Sequence, residues 1–170
     1  MGLVPAVVDA VAPIPVVAAG GIADGRGLAA ALTLGAAGVS MGTRFTATRE
    51  SLWSPAMKDK AVAAGGDQTA QTRVFDIVRG AAWPAHYPGR ALRNAFFDQW
   101  HGREDALTAG QKTEETAYLA SDKDDFARRV VWAGEGVDLV RDIPSARDVI
   151  ERIVDEAAAV LQRGAALVRV

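Results

Sequence analysis

Two glycine-containing turns are the residues of this sequence best suited to chemistry. Gly20 and Gly21 follow the apolar run 15–19, and Gly42 and Thr43 lie in a second apolar run. Glycine has no Cβ, so its N–H can approach an anion closely and its backbone can adopt the positive φ that a nest of amides requires. The Thr43 hydroxyl adds a further donor. These groups are suited to holding a phosphate.

The elements around the turns predict that the turns lie side by side. Residues 15–19 are typical of a strand buried on both faces, and residues 38–45 predict a second strand. Between them, Asp24 is suited to cap a helix over residues 25–34, which Gly35 should end. A strand–helix–strand unit of this length predicts a parallel pair, so both turns open at one sheet edge, where α/β proteins bind ligands.

Two arginines lie close to the second turn. A short helix starting near Arg49 would direct its first amides at the same anion. Arg44 either assists the phosphate or pairs with a carboxylate on the other side of the strands, and we favour the second interpretation. The site residues predicted from the sequence are therefore Gly20, Gly21, Gly42 and Thr43.

One competing nucleotide-binding pattern is disfavoured. Residues 25–30 match the dinucleotide fingerprint G-x-G-x-x-A. That fingerprint needs its first glycine in the turn directly after the strand, a place that Gly20 and Gly21 already occupy. No carboxylate clearly ends the next strand at the position that would bind a ribose. We therefore do not expect a Rossmann site.

The chain divides into three segments that differ in composition and in predicted secondary structure. Residues 1–50 carry the glycine turns after a short helix over residues 4–11, and residues 51–130 form a mainly helical insertion that contains most of the aromatic side chains. Residues 131–170 contain a long terminal helix. In the insertion we predict a helix from Ser54 to about residue 64, a short strand over 73–78, a loop over 83–89, and helices over 92–100 and 104–119. We predict the terminal helix over 144–162, with Ser145 and Asp148 as a capping box and Gly164 at its end.

Composition narrows the class of protein. The 170 residues are 49% hydrophobic and 24% charged, which is ordinary for a globular domain. Nineteen Lys and Arg against twenty-one Asp and Glu leave a net charge of −2, so no basic field favours a nucleic-acid partner. The chain has no cysteine, which excludes disulfides, thiolate metal sites and thiol catalysis. We find no signal peptide and no run long enough to span a bilayer, and we expect a cytoplasmic protein without a metal.

The glycine turns also carry a family resemblance. Residues 14–45, followed by 48–51, closely resemble the nitronate monooxygenases, formerly called 2-nitropropane dioxygenases, which are FMN-dependent TIM barrels. Many FMN barrels share the glycine pair alone, whereas Ala-Asp-Gly-Arg-Gly at 23–27 and Met-Gly-Thr-Arg-Phe at 41–45 are more specific. Residues 89–94 and 133–136 resemble later segments of the family. The resemblance covers essentially the whole chain but only the C-terminal part of the family's barrel.

The resemblance implies a fold, a cofactor and an activity. The fold is α/β: the last two parallel strands of a TIM (β/α)8 barrel with their helices, a mainly helical insertion and a C-terminal helix. The FMN phosphate lies on the backbone of Gly20, Gly21, Gly42 and Thr43. The activity is oxidation of an alkyl nitronate by the flavin, with O2 as the oxidant. The family's catalytic histidine precedes the matched segment, so no catalytic residue is assigned here, and we expect packing or surface roles for His86 and His101.

Two other functions stay open. Flavin-dependent enoyl-ACP reductases share the glycine segment and would consume NAD(P)H with an enoyl thioester. A non-catalytic FMN- or phosphate-binding remnant, or a partner subunit, would bind the ligand without turnover. Because the resemblance covers only the C-terminal part of the family's barrel, we expect either self-association or a need for the N-terminal half.

Overall fold

The computed structural model describes residues 2–168 and shows a mixed α/β fold. The first part contains α1 (Leu3–Val11), β1 (Val17–Ala19), α2 (Gly25–Thr33), β2 (Gly38–Ser40) and α3 (Thr43–Thr46). The middle part contains α4 (Pro55–Val62), β3 (Thr69–Thr72), α5 (Val74–Val78), β4 (Gly89–Leu92), α6 (Ala95–Trp100), α7 (Glu104–Ala109) and α8 (Gln111–Ala120). The long helix α9 (Ala146–Leu167) follows, and short 3-10 turns cover Gly66–Gln68 and Glu135–Leu139.

The parallel strand pair predicted from the sequence is confirmed. β1 and β2 pair in parallel, with Val17 opposite Gly38 and Ala19 opposite Ser40, and α2 connects them. The Asp24 side chain caps α2 by accepting a hydrogen bond from the Gly27 N–H at 3.1 Å. The carboxyl ends of the two strands therefore lie next to each other.

The second strand is shorter than predicted. It ends at Ser40, and the segment predicted as its continuation forms the helical turn α3. Threonine side chains favour this turn, because the Thr46 hydroxyl donates to the Thr43 carbonyl and the Thr48 hydroxyl to the Phe45 carbonyl, both at 2.8 Å. The helix predicted to start near Arg49 was therefore misplaced, since the helical turn begins at Thr43.

The prediction of a strand over residues 73–78 was wrong. These residues form helix α5, and the strand β3 lies immediately before it. The Thr72 hydroxyl accepts a hydrogen bond from the Val74 N–H at 3.1 Å, and Val74, Phe75 and Val78 are fully buried on one side of the helix. A short apolar run is compatible with either periodicity, and tertiary packing decides between them.

The insertion contains a second sheet that was not predicted. β3 and β4 pair antiparallel, with Thr69 opposite Leu92 and Thr72 opposite Gly89. Gly89 belongs to this strand and not to the preceding loop, and the Trp132 ring lies 2.5 Å from where its Cβ would stand, which leaves no room for a side chain. The helix predicted over 92–100 begins only at Ala95, and Gly110 divides the helix predicted over 104–119 into α7 and α8.

The terminal helix confirms its predicted start and corrects its predicted end. The Ser145 hydroxyl accepts from the Asp148 N–H at 3.0 Å and the Asp148 carboxylate accepts from the Ser145 N–H at 3.2 Å, so the capping box is present. The helix continues through Gly164 to Leu167, so this glycine does not end it, and the space beside Gly164 is open.

Helices α2 and α9 pack unusually closely at one glycine. A Cβ on Gly25 would stand 2.6 Å from the Ala157 nitrogen and from the Ile153 carbonyl oxygen, and the Gly25 N–H donates to the Glu156 carboxylate at 2.8 Å. The first glycine of the dinucleotide-like pattern therefore serves helix–helix contact.

We predict that Gly25→Ala lowers the free energy of unfolding by about 1–3 kcal/mol, because the added methyl group meets backbone atoms that cannot rotate away. Gly164→Ala is the matched control. Its site in α9 is open, so alanine should raise stability by about 0.5–1 kcal/mol. Urea unfolding followed by circular dichroism measures both, and equal stability of the two variants would contradict the packing role.

Part of the apolar surface is exposed. Val17 in β1 is 58% exposed, so this strand is not buried on both faces as predicted, and Ile150 and Val154 in α9 are 53% and 52% exposed. Among residues 2–168, β1 and β2 pair only with each other, which leaves the outer edge of each strand without a ladder partner.

We predict that the purified 170-residue chain self-associates through this surface, because apolar side chains next to open strand edges favour association. Size-exclusion chromatography with light scattering measures the state. The double variant Ile150→Glu with Val154→Glu should shift the population toward monomer, whereas Arg163→Glu, at an exposed site elsewhere on α9, should not. A monomeric unsubstituted chain would contradict the prediction.

Candidate functional site

The four predicted site residues lie at the carboxyl ends of the parallel strands. Gly20 and Gly21 directly follow β1 with φ of +96° and +71°, a backbone conformation that other residues adopt only with strain. Gly42 and Thr43 follow β2 after one residue. A Cβ on Gly20, Gly21 or Gly42 would meet no atom within 4 Å, so the space in front of both turns is open.

The Thr43 side chain is oriented by a distant backbone group. Its Oγ1 accepts a hydrogen bond from the Gly134 N–H at 3.0 Å. A hydroxyl that accepts one hydrogen bond still has its own proton to donate. Among the side-chain hydrogen bonds of residues 2–168, the Thr43 hydroxyl accepts from Gly134 and donates to no protein group, so its proton is not already used within the protein.

A third segment lines the site, and the sequence had given it no role. A Cβ on Gly136 would stand 3.2 Å from the carbonyl carbon and oxygen of Gly21. The 3-10 turn that begins at Glu135 therefore packs directly on the first glycine turn. The signal was present in the sequence, because Gly134 and Gly136 flank a single residue, but only the fold shows what they contact.

This third segment is held by the insertion. The Glu135 carboxylate pairs with Arg90 of β4 at 3.0 Å, and the Asp138 carboxylate accepts from the Gly66 N–H at 2.8 Å. The second sheet and the glycine turns are thereby connected through one short 3-10 turn. The insertion contributes to the shape of the site by this route.

Arg44 pairs with a carboxylate, as the favoured interpretation predicted, although it lies on α3 and not in a strand. Its Nη1 lies 3.0 Å from the Asp142 Oδ1, and only 4% of the residue is exposed. Burial lowers the pKa of Arg44, and the nearby Asp142 charge partly opposes that shift.

Asp142 joins two arginines. Its second carboxylate oxygen accepts from the Arg152 Nη1 at 2.8 Å. Partial burial acts to raise the pKa of Asp142, but the Arg152 hydrogen bond and the charges of Arg152 and Arg44 outweigh it, so the pKa is held below its ordinary value. The carboxylate therefore stays ionised between its two partners at neutral pH.

The two histidines are exposed, and each lies against an aromatic ring. The His86 ring lies 4.1 Å from the Tyr87 ring in the loop before β4, and the His101 ring stacks on Phe97 at 4.4 Å. Among residues 2–168, no group of three His, Asp or Glu side chains is placed to hold a metal ion. No helix in that range is both long and apolar enough to cross a membrane.

The fold and the site define a mixed α/β domain whose candidate ligand site lies at the ends of two parallel strands. A family profile described as nitronate monooxygenase matches residues 1–156. The chain belongs to the nitronate monooxygenase family.

The chain is similar to a protein named for this family and to proteins with other names. The nitronate monooxygenase npaC of Metarhizium robertsii is 39% identical over 170 residues, which cover 95% of this chain and 47% of the relative. An octahydroindene carboxyl-CoA dehydrogenase of Rhodococcus jostii is 57% identical over 74 residues, or 44% of this chain and 21% of that protein. The structure of FabK from Thermotoga maritima matches with a TM-score of 0.78 and 32% identity over 98% of this chain and 51% of its own. The chain thus spans about half or less of the proteins it matches.

We predict that Asp142→Asn lowers stability at pH 7 and that its deficit shrinks as the pH falls. A carboxylate with a depressed folded-state pKa stabilises the fold above its unfolded pKa of ~3.9, and this contribution is lost as the pH falls through the lower folded-state value. Urea unfolding midpoints from pH 7 down to pH 3 measure the difference between the variant and the unsubstituted chain. Asp155→Asn, at an exposed carboxylate of α9, is the control. A deficit that stays constant over this range would contradict the ionic role.

Proposed function

We propose that this chain is the cofactor-phosphate-binding part of an FMN-dependent oxidoreductase of the nitronate monooxygenase type. In this proposal the backbone of Gly20, Gly21, Gly42 and Thr43 holds the FMN phosphate. The observation that carries it is the pair of adjacent glycine turns with open space in front of them. Membership of the nitronate monooxygenase family supports the same assignment.

The chemistry of the donors fits a phosphate. Backbone amides in turns with positive φ form concave anion sites, and the free proton of the Thr43 hydroxyl adds a directed donor. Neighbouring strands lie about 4.8 Å apart, a separation that one phosphate group can bridge. Substituents at these glycines would project into the space that the ligand needs, which explains the absence of a Cβ at Gly42, where φ itself is ordinary.

The proposed fold context is the last two strands of a TIM barrel, because loops after those strands commonly hold a phosphate. In that context residues 1–50 supply the phosphate site, residues 51–130 form the insertion and residues 131–170 provide the closing helix. Bound FMN would supply the oxidation of an alkyl nitronate, with O2 as the final oxidant. The described residues bind and orient the phosphate end, and we assign none of them a catalytic role.

A flavin-dependent enoyl-thioester reductase is the second candidate. The identity to a carboxyl-CoA dehydrogenase favours a thioester substrate, since its matched residues are 57% identical. Oxygen uptake with an alkyl nitronate indicates the first function, and NAD(P)H consumption with an enoyl thioester indicates the second. FMN binding without either reaction would indicate a phosphate-binding protein without turnover.

We predict that the chain binds FMN more tightly than riboflavin, which lacks the phosphate, and that Gly42→Val removes most of this preference. The valine side chain obstructs the approach of the phosphate to the Gly42 and Thr43 amides. The fold should tolerate the change, because φ is −92° and the space is open. Fluorescence titration with both flavins measures the preference.

Gly38→Val is the matched control for this titration. Gly38 lies at the other end of β2, and a Cβ there also meets nothing within 4 Å. The FMN preference should survive in this variant. An unchanged preference in Gly42→Val, or no preference in the unsubstituted chain, would contradict the proposed phosphate site.

A further inference from the structure

Arg44 directly follows the proposed phosphate-binding residues, and its guanidinium holds three oxygen atoms at once. Nη2 donates to the Ala47 carbonyl at 3.0 Å and to the Asp142 carbonyl at 2.8 Å, and Nη1 donates to the Asp142 carboxylate at 3.0 Å. Ala47 ends the turn that α3 begins, whereas Asp142 belongs to the segment before α9. One side chain therefore fixes α3 both internally and against a second segment.

The surroundings of this contact are buried and closely packed. Ala47 and Val140 are fully buried, and they pack together with Ala23 from the loop after β1. A second link runs in parallel, since the Arg49 N–H donates to the Pro144 carbonyl at 2.9 Å. Because α3 has only four residues, a rotation of this turn would move Gly42 and Thr43 with it.

Burying a charged side chain costs desolvation free energy. An apolar contact between the two segments would stabilise the fold without that cost. The planar fork of arginine has a compensating property, because it fixes direction as well as distance. The charge lies one residue from Thr43, so its directional effect acts on the second half of the proposed phosphate site.

We propose that Arg44 and Asp142 are a positioning pair that orients the Gly42–Thr43 turn for a phosphate group. The inference rests on the proposed function, since it concerns the same site. Arg44 need not touch the ligand in this arrangement. Its effect passes through the backbone of α3, which the guanidinium holds at Ala47 and at Asp142.

The test compares FMN with riboflavin in the full 170-residue chain carrying Arg44→Met, Arg44→Lys or Asp142→Asn. Each variant is titrated at a temperature where circular dichroism shows it folded. We expect FMN affinity to fall about tenfold in Arg44→Met and Asp142→Asn, because a displaced site loses binding steeply, while riboflavin affinity changes less than about twofold. Arg44→Lys should recover thermal stability but not the FMN preference, because one ammonium cannot hold all three oxygens in the geometry of the fork.

Arg152→Gln is the matched control. Arg152 contacts the same carboxylate at 2.8 Å but lies on α9, and its side chain is half exposed. The FMN preference should therefore stay within about twofold of the unsubstituted chain. A folded Asp142→Asn or Arg44→Lys chain that keeps the preference would overturn the positioning role, and so would an equal loss in Arg152→Gln.

The outcomes separate the two proposals. If the unsubstituted chain shows no preference for FMN over riboflavin, the proposed phosphate site is wrong and the positioning role falls with it. If that preference exists and survives in the Arg44 and Asp142 variants, only the positioning role is wrong. Should Arg44→Met fail to fold, Asp142→Asn decides, because it leaves the two carbonyl contacts of Arg44 in place.

Discussion

The geometry of the candidate site depends on the close backbone contact between Gly136 and Gly21. Only 3.2 Å would separate a Cβ at Gly136 from the Gly21 carbonyl, so the 3-10 turn packs tightly against the backbone of the glycine turn. Directly before this turn, the Gly134 N–H donates a hydrogen bond to the Thr43 hydroxyl, and within the turn the Glu135 carboxylate pairs with Arg90 of the insertion. Glycines allow the tight turns of the site but make its backbone more flexible. These contacts from distant segments restrict that flexibility.

The parts of the fold that could be predicted from the sequence have local signals. The Asp24 and Ser145 caps depend on side chains within three residues of the amides they bind, and the strand–helix–strand unit shows a change of hydrophobic pattern. The β3–β4 sheet has no such signal, since Thr69 pairs with Leu92 across a long helical and loop segment. Helix α5 was mistaken for a strand because Val74, Phe75 and Val78 suit either structure until their packing is known.

The same difference applies to the candidate site. The site could be proposed from the sequence because glycine directly after an apolar run indicates a tight turn or a close approach of the backbone to a ligand. The residues proposed were Gly20, Gly21, Gly42 and Thr43. Their placement at adjacent strand ends agrees with that reasoning, while their role in binding stays a prediction. The contribution of Gly134 could not be predicted, because its hydrogen bond to Thr43 joins residues 91 positions apart. Gly25 shows the opposite difficulty, since its pattern matched a nucleotide fingerprint although its backbone packs on α9.

The distribution of charge around the candidate site agrees with recognition of an anion by backbone amides. The four predicted site residues are neutral, and the nearest arginine in sequence, Arg44, is buried and donates from its terminal nitrogens to Ala47 and Asp142. An arginine that faced the open space would bind anions of many shapes, because a flexible cation adapts to its partner. Backbone N–H groups that are fixed in a turn favour a ligand whose oxygen atoms lie along the N–H directions. In the proposed site, the buried Arg44 with its Asp142 partner would hold the turn in place, and the open turn would bind the phosphate.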